Sequence, residues 1–234
     1  QDKLKNIPKG PGVYMMKGED GEVLYVGKAN DLKKRVLSYF RPSRKFSERL
    51  EALVSKVKDI SYIPASTSAE ALIYENSLIK EFKPRYNVAL RDDKSYPILK
   101  LTVNEKFPRL FMTRQKRQDG AIYFGPYTNA KLLREALGIL RRIFPLRTCR
   151  KMPDKVCLNY HLNQCLAPCV GRVEEAAYDD VVSELKLFLD GKRHELLKIL
   201  SDRMAAAARS KGFEEAGSIK KRLEALSSFK EKAV

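Results

Sequence analysis

The first ninety residues carry a set of polar side chains whose combination suits phosphodiester hydrolysis. The set comprises three tyrosines, two cations, one acid and one amide, namely Tyr14, Tyr25, Lys28, Arg35, Tyr39, Glu75 and Asn87. A carboxylate can hold a hard divalent cation that keeps water in its shell. Cationic side chains can neutralise the charge that develops on a phosphorane, and a tyrosine hydroxyl can relay the proton of the attacking water.

Each of these residues also has an ordinary structural interpretation. Tyrosines in hairpins usually pack, arginines on helices are usually solvated, and an acid beside apolar residues commonly marks the edge of a helix face. Strand alternation nevertheless places Tyr14 and Tyr25 on neighbouring strands, where their hydroxyls can converge on one face. Arg35 and Tyr39 lie four residues apart and therefore share a helix face. The set is consequently predicted to form one site.

Local patterns predict the elements that position these residues. Before residue 92, the expected elements are strands at 13–16, 23–26 and 60–64, and helices at 31–40, 46–58 and 68–83. Beyond it, they are strands at 98–103, 110–113 and 121–124, a helix at 129–143, and helices from 174 onward that are split near Lys211 and Gly212. The predicted fold class is α+β, followed by an α-helical tail.

The charge distribution predicts a polyanionic partner. The 234 residues contain 46 Lys and Arg against 29 Asp and Glu, which gives a net charge of +17. Residues 1–150 hold 31 of these basic residues against 16 acidic ones. A positive field concentrated in this way is typical of nucleic-acid binding, although a basic protein without such a partner remains the simpler alternative. No apolar run is long enough for a membrane span, and residues 1–12 lack a secretory signal, so a cytoplasmic protein is expected.

Four cysteines cluster within 21 residues with the spacing C-x7-C-x7-C-x3-C. They are Cys149, Cys157, Cys165 and Cys169. In a reducing compartment, clustered thiols indicate metal ligands before disulfides. The spacing differs from the paired C-x2-C knuckles of common zinc sites, and four thiolates suit an iron–sulfur cluster equally well. An iron–sulfur cluster, zinc (with His161 as a possible substitute ligand) and free structural cysteines therefore all stay open.

The two triplets Gly12-Val13-Tyr14 and Tyr25-Val26-Gly27 resemble the signatures of the GIY-YIG nuclease family, with Val in place of Ile in both. Within it, the chain is most similar to the UvrC excinuclease subunits of bacterial nucleotide excision repair. The further motifs that carry this resemblance are Glu75-Asn76-x-Leu78-Ile79-Lys80, Lys83-Pro84-Arg85-Tyr86-Asn87, Tyr123-Phe124-Gly125-Pro126-Tyr127, Phe144-Pro145-Leu146-Arg147-Thr148-Cys149, Cys165-x-Ala167-Pro168-Cys169 and Gly212-Phe213-Glu214-Glu215-Ala216.

The resemblance implies a nuclease domain with a small antiparallel sheet flanked by helices, which incises damaged double-stranded DNA 3′ to a lesion. By position, Glu75 would bind one Mg²⁺ or Mn²⁺, and Arg35 would stabilise the phosphate. Tyr25, tuned by Lys28, would be the general base. Tyr14 and Tyr39 would orient water and phosphate, and Asn87 would shape the site.

The resemblance also assigns the second half of the chain. It favours a 4Fe–4S cluster on the four cysteines over Zn²⁺, and a UVR helical hairpin at about 192–229 that pairs with the partner subunit UvrB. The hairpin residues expected to contact UvrB are Phe213, Glu214, Ala216, Ile219 and Leu223. The predicted domains are the nuclease (1–92), a small α+β module (93–148), the cysteine segment (149–173) and the helical region (174–234).

Full-length members of that family continue into a second, RNase H-like nuclease and a DNA-binding helical domain, for which no room remains after Val234. The sequence therefore predicts the N-terminal half of a UvrC-type excinuclease. A stand-alone relative that makes a single incision and a non-catalytic, metal-containing DNA-binding adaptor are the alternatives. An acid in a basic site argues against the adaptor, because binding alone would not need it.

Overall fold

A β-hairpin and a third antiparallel strand form the first sheet of the protein. In the computed structural model, which describes residues 6–41, 47–87, 96–227 and 232–233, these strands are β1 (Gly12–Lys17), β2 (Val23–Ala29) and β3 (Asp59–Pro64). Strand β1 is central and pairs with both neighbours, which leaves β2 at the edge. Five of the six residues of β1 are buried, because helices cover both faces of the sheet.

Three helices complete this first unit. They are α1 (Leu32–Leu37), α2 (Glu48–Lys56) and α3 (Ser68–Phe82). The side chain of Asp31 caps α1 by accepting from the Lys34 amide, and the side chain of Thr67 caps α3 by accepting from the Glu70 amide. Helix α3 ends at Lys83, which adopts a left-handed conformation just before Pro84.

The second unit begins with a three-stranded antiparallel sheet. Its strands are β4 (Ile98–Leu101), β5 (Leu110–Thr113) and β6 (Ile122–Phe124), with β4 in the centre. Helix α4 (Ala130–Ile143) buries Leu133, Leu137 and Leu140 in the core of this unit. The cysteine segment then carries only a short helix, α5 (Leu158–His161), and a 3₁₀ turn at Pro168–Val170.

Three longer helices follow, namely α6 (Glu175–Leu189), α7 (Arg193–Arg209) and α8 (Phe213–Ser227). A buried acid ties them together, since the Glu184 carboxylate, only 2% exposed, accepts from Arg203 at 3.0 Å and from Arg222 at 2.5 Å. Desolvation raises the pKa of Glu184, and the two guanidinium groups oppose that shift. A two-residue strand, β7 (Lys232–Ala233), pairs with β3.

The α+β class is confirmed, with a small antiparallel sheet flanked by helices. The chain divides into residues 1–89 with 226–234, and residues 90–225. The finer four-part division stays a prediction, and its boundary between 92 and 93 lies outside the described residues. The predicted start of a helix at Phe46 and the end of the hairpin at 228–229 also lie outside them. Within the described ranges, no helix is long and apolar enough to cross a bilayer.

Candidate active site

The three tyrosines of the predicted site lie in one cluster over the first sheet. Tyr14 stands opposite Gly27, and Tyr25 stands opposite Met16 on the neighbouring strand, so the two rings share a face with centroids 6.0 Å apart. The ring of Tyr39 lies 5.9 Å from that of Tyr14, and their hydroxyls are hydrogen-bonded at 2.8 Å. Tyr14 and Tyr39 are buried, whereas Tyr25 is half-exposed.

Gly27 makes room for this cluster. A Cβ added there would lie 2.6 Å from the Tyr14 hydroxyl and 2.7 Å from the ring of Tyr25. Gly12 also has no room for a side chain, since a Cβ added there would lie 2.5 Å from the carbonyl oxygen of Ile63. The glycines of the two triplets are therefore required by close packing of the rings and strands, and the tyrosines beside them are held in fixed positions.

Arg35 connects the tyrosine cluster to the surface. Its Nε donates to the Tyr14 hydroxyl at 3.3 Å, and its guanidinium carbon lies 5.0 Å from the centroid of the Tyr39 ring. Helix α1 ends at Leu37, so Tyr39 lies in the turn beyond it rather than on the same helix. The side chain of Arg35 is exposed. A cation held by two rings yet open to solvent can bind a phosphate without reorganising.

Glu75 projects from α3 to the edge strand β2. Its Oε1 accepts the Lys28 amide hydrogen at 2.9 Å. Burial raises the pKa of this carboxyl, while the hydrogen bond from Lys28 and the Lys28 charge oppose the shift. No ion pair with a described residue compensates the carboxylate, and its charge also acts on Tyr25. One such oxygen surrounded by water fits Mg²⁺ or Mn²⁺, since Mg²⁺ commonly keeps several waters and takes one or two carboxylates.

The open edge of β2 is closed at three alternate residues. The Tyr86 amide donates to the carbonyl oxygen of Leu24 at 3.0 Å. The side chain of Asn87 accepts from the amide of Val26 and donates to its carbonyl oxygen, both at 2.8 Å, and Glu75 takes the amide of Lys28. Without these contacts, the backbone N–H and C=O groups on the outer side of β2 would have no hydrogen-bond partner in the protein. Asn87 thus fixes the strand that carries Tyr25 rather than facing the tyrosine rings.

The hydroxyls of Tyr14 and Tyr25 are poor acids in this setting. Burial, followed by the neighbouring Tyr25 and Tyr39, raises the pKa of Tyr14 far above its usual value. Burial, followed by the charges of Tyr39 and Glu75, raises the pKa of Tyr25 to about 12. The hydroxyls of Tyr14 and Tyr25 therefore carry a proton at neutral pH unless another charge acts on them. A positive charge beside Glu75 would lower the pKa of Tyr25, because an opposite charge favours the ionised form.

The four cysteines come together in the second unit. Cys149, Cys157, Cys165 and Cys169 line one pocket, and all four are free thiols. Burial and the other three cysteines raise the pKa of the Cys165 thiol. Within the described residues, no three His, Cys, Asp or Glu side chains already stand at metal-binding spacing. Four convergent thiols nevertheless fit a four-thiolate metal centre in chemistry, whether iron–sulfur or zinc. His161 does not line this pocket.

Arg147 holds the cysteine segment in place, and the sequence patterns missed it. This side chain is only 5% exposed, and it donates to the carbonyl oxygens of Phe107 at 2.6 Å and Cys149 at 2.5 Å. It also pairs with Glu105, and its amide donates to the Tyr178 hydroxyl at 2.8 Å. An arginine next to the apolar residues around Leu146 indicates a buried cation, and a buried cation needs hydrogen-bond partners. This pattern could have identified Arg147.

The tail residues fall into two groups. On α8, Phe213 is 71% exposed and Glu214 is exposed, whereas Ile219 is only 3% exposed and packs within its own chain. Ala216 and Leu223 are half-buried. The two helices are split at Lys211 and Gly212, as predicted, but Lys211 rather than the glycine takes the left-handed conformation after α7. The hairpin therefore exposes its aromatic end while burying its middle.

Two protein-family models match this chain. Residues 10–88 match the UvrC-like GIY-YIG domain, and residues 96–188 match the middle domain of the UvrC/Cho excinucleases. The chain belongs to the UvrC family. The resemblance of the two triplets and of the motifs between Glu75 and Cys169 is thereby confirmed, and the tyrosine cluster lies within the GIY-YIG match. The tail motif at 212–216 lies beyond both matches and stays a prediction.

Individual relatives agree with this assignment. The chain is 47% identical to UvrABC system protein C of Desulforudis audaxviator over 96% of its own length, and 45% identical to that of Clostridium perfringens over 99%. It spans only 37% and 38% of those two UvrC relatives. It is also similar to the crystallised GIY-YIG endonuclease domain of UvrC from Thermotoga maritima, which is bound to magnesium. That similarity has 34% identity and a TM-score of 0.34 over 37% of this chain and 93% of that one.

Proposed function

We propose that this chain is the N-terminal nuclease region of a UvrC-type excinuclease. It hydrolyses a phosphodiester of damaged double-stranded DNA 3′ to the lesion, using one divalent cation. The observation that carries this proposal is the uncompensated Glu75 carboxylate beside a tyrosine cluster and an exposed arginine. A half-buried carboxylate without an ion pair is partly desolvated at a cost in free energy, and a bound divalent cation would offset that cost.

We assign each residue of the site a role that its contacts support. Glu75 would hold the Mg²⁺ or Mn²⁺, which supplies Lewis-acid polarisation of the phosphate and activation of water. Arg35 binds the phosphate and stabilises the charge that develops on it. Tyr14 and Tyr39 hold the guanidinium in place through the contacts described above, and Asn87 positions β2.

Tyr25 is the best-placed proton acceptor. It is the half-exposed member of the tyrosine cluster, and Glu75 acts on it electrostatically. Its raised pKa means that the hydroxyl is protonated in the resting site, so it must first lose that proton to solvent before it can accept one from the attacking water. A divalent cation beside Glu75 would favour the ionised form that accepts the proton. The Lys28 amide holds Glu75, and we assign the Lys28 side chain to DNA contact; its tuning of Tyr25 stays a prediction.

Mapping the cut tests this function. A duplex with one bulky lesion, labelled separately at each end of the damaged strand, is incubated with the chain, UvrB and Mg²⁺. The expected product is a single break on the 3′ side, which disappears with EDTA. A break on the 5′ side, or cutting that persists in EDTA, would overturn the proposal. Binding without any cut would favour the adaptor.

The cysteine pocket is proposed to hold a 4Fe–4S cluster, with Zn²⁺ as the alternative. Its support is the convergence of four free thiols on a pocket anchored by Arg147. The cluster would serve structure and DNA binding, because the catalytic set lies in the other unit of the chain.

We expect Cys149→Ala and Cys169→Ala to lose metal equally and to lower the melting temperature equally, because the binding energy of a metal site is folding energy. Elemental analysis and the visible absorption of anaerobically purified protein measure the first effect, and calorimetry measures the second. A broad visible shoulder identifies iron–sulfur. Independent effects of the two substitutions, with neither iron nor zinc present, would indicate structural cysteines.

The helical tail is proposed to act as a UVR motif that recruits UvrB through α8. We expect Phe213→Ala to weaken binding to UvrB at least ~10-fold in a calorimetric titration, since an aromatic at an interface centre is commonly a hot spot. The melting temperature of the Phe213→Ala variant should equal that of the wild type, because Phe213 is 71% exposed.

Ile219→Ala is the matched variant from the same helix. Because Ile219 is 3% exposed, its truncation should lower the free energy of unfolding by about 2 kcal/mol or more. Equal affinity of Phe213→Ala and the wild-type chain for UvrB would show that the exposed end of α8 is not the contact.

A further inference from the structure

One face of the second sheet carries aromatic and basic side chains that the nuclease site does not use. Across the strands, Lys100 of β4 stands opposite Phe111 of β5 and Tyr123 of β6, so the three side chains lie in one row on one face. All three are half-buried, which leaves part of each at the surface. The opposite face carries Leu99, Leu101, Leu110 and Phe124, which are buried in the core.

The row is held in a fixed arrangement. The Lys100 ammonium lies 6.0 Å from the Phe111 centroid and 5.6 Å from the Tyr123 centroid. Asp119 pairs with Lys100 and accepts from the Tyr123 hydroxyl at 3.0 Å. The guanidinium carbon of Arg109 lies 4.7 Å from the Phe111 centroid and extends the stacked surface. Such contacts restrict the rotamers before any ligand arrives, which lowers the entropic cost of binding.

The surroundings of the row are basic. Residues 96–127 contain six Lys and Arg against two acids, Glu105 and Asp119. Glu105 pairs with Arg109 and Arg147, and Asp119 pairs with Lys100, so both acids are already compensated. Arg114 and Arg117 are exposed in the loop between β5 and β6. A basic rim around partly exposed rings is complementary to a polyanion with flat apolar groups.

We propose that the Phe111–Lys100–Tyr123 row is a stacking surface for an unpaired DNA strand. Phe111 and Tyr123 lie two strand spacings apart, about 10 Å, which leaves room for a base on each ring and a phosphate near Lys100. Aromatic rings with basic neighbours on a sheet face are a common way to bind single strands, because every base has a π-face. In a paired duplex those base faces are stacked inside and cannot reach the rings. The row therefore prefers DNA whose bases are unpaired.

The test is a binding titration of the whole chain in EDTA, so that no cleavage takes part. Fluorescence anisotropy compares a labelled 15-nucleotide oligo-dT with an abasic strand of the same length and charge. We expect the abasic strand to bind at least ~10-fold more weakly, because stacking contributes about a tenfold factor or more per base. Equal affinity for the two strands would overturn the proposal, and this comparison needs no variant.

Variants locate the effect. Phe111→Leu should weaken oligo-dT binding ~10-fold while leaving the affinity for the abasic strand and for a fully paired duplex within ~2-fold. Phe82→Leu, which removes an exposed ring on α3, is the matched control and should change none of the three. Equal effects of the two substitutions, or equal losses on single-stranded and paired DNA, would contradict the assignment. Because cutting is not measured, failure here is distinct from failure of the proposed nuclease.

Discussion

Glu75→Gln is expected to reduce DNA incision by at least ~100-fold, the scale of losing a main electrostatic stabiliser of the transition state. The amide oxygen of the glutamine can still accept the Lys28 amide hydrogen, so β2 and the fold should be retained. The negative charge that would hold the cation is lost. DNA affinity should therefore stay within ~2-fold of wild type, because the exposed basic side chains are untouched. Gel-based incision rates in Mg²⁺ and Mn²⁺, together with anisotropy in EDTA, separate the two effects.

The matched control is Glu51→Gln. Glu51 is an exposed acid on α2 in the same unit, so its substitution changes the net charge identically. Its incision rate should equal that of the wild type. Near-wild-type cutting by Glu75→Gln in either metal would show that the active site lies elsewhere.

Gly27→Ala should disrupt the tyrosine cluster directly. The added carbon would lie 2.6 Å from the Tyr14 hydroxyl and 2.7 Å from the Tyr25 ring. Both rings would have to move, and overpacking of this kind costs about 1–3 kcal/mol of stability. Because Tyr14 also holds Arg35, we expect incision to fall by at least ~100-fold even at temperatures where the protein is folded. Denaturant unfolding and incision rates measure the two losses.

Gly138→Ala is the opposite case. No atom lies within 4 Å of a Cβ added at Gly138, which is in the interior of α4. Alanine has the higher helix propensity by about 1 kcal/mol, so this variant should be slightly more stable and fully active. If Gly27→Ala behaves like Gly138→Ala, the tyrosine cluster is not packed as described.

Local sequence patterns predicted most of the helices and strands. The hairpin, the helices and the alternation of Tyr14 and Tyr25 depend on local rules, and the structure agrees with them within a few residues. Arg35 and Tyr39 were expected to share one helix face, yet α1 ends at Leu37. The contact survives because a turn brings the Tyr39 ring to the guanidinium. The predicted contact between Arg35 and Tyr39 is therefore correct, although the predicted length of the helix is wrong.

The sequence could not predict contacts that depend on tertiary placement. Asn87 was assigned to the site by resemblance, whereas its two hydrogen bonds to Val26 close a strand edge 61 residues away. No sequence pattern distinguishes Glu184 from a solvated charge, and the apolar neighbours of Arg147 indicate its burial without identifying its partners. The division of α8 into an exposed Phe213 and a buried Ile219 also follows from packing, since both belong to the same apolar pattern.

The central claim is that Glu75 holds the divalent cation of a nuclease site, and a Mn²⁺ titration followed by electron paramagnetic resonance tests it most directly. The wild-type chain and Glu51→Gln should each bind one Mn²⁺ that Mg²⁺ displaces, and Glu75→Gln should lose that bound ion while remaining folded. Undiminished Mn²⁺ binding by Glu75→Gln would contradict the account.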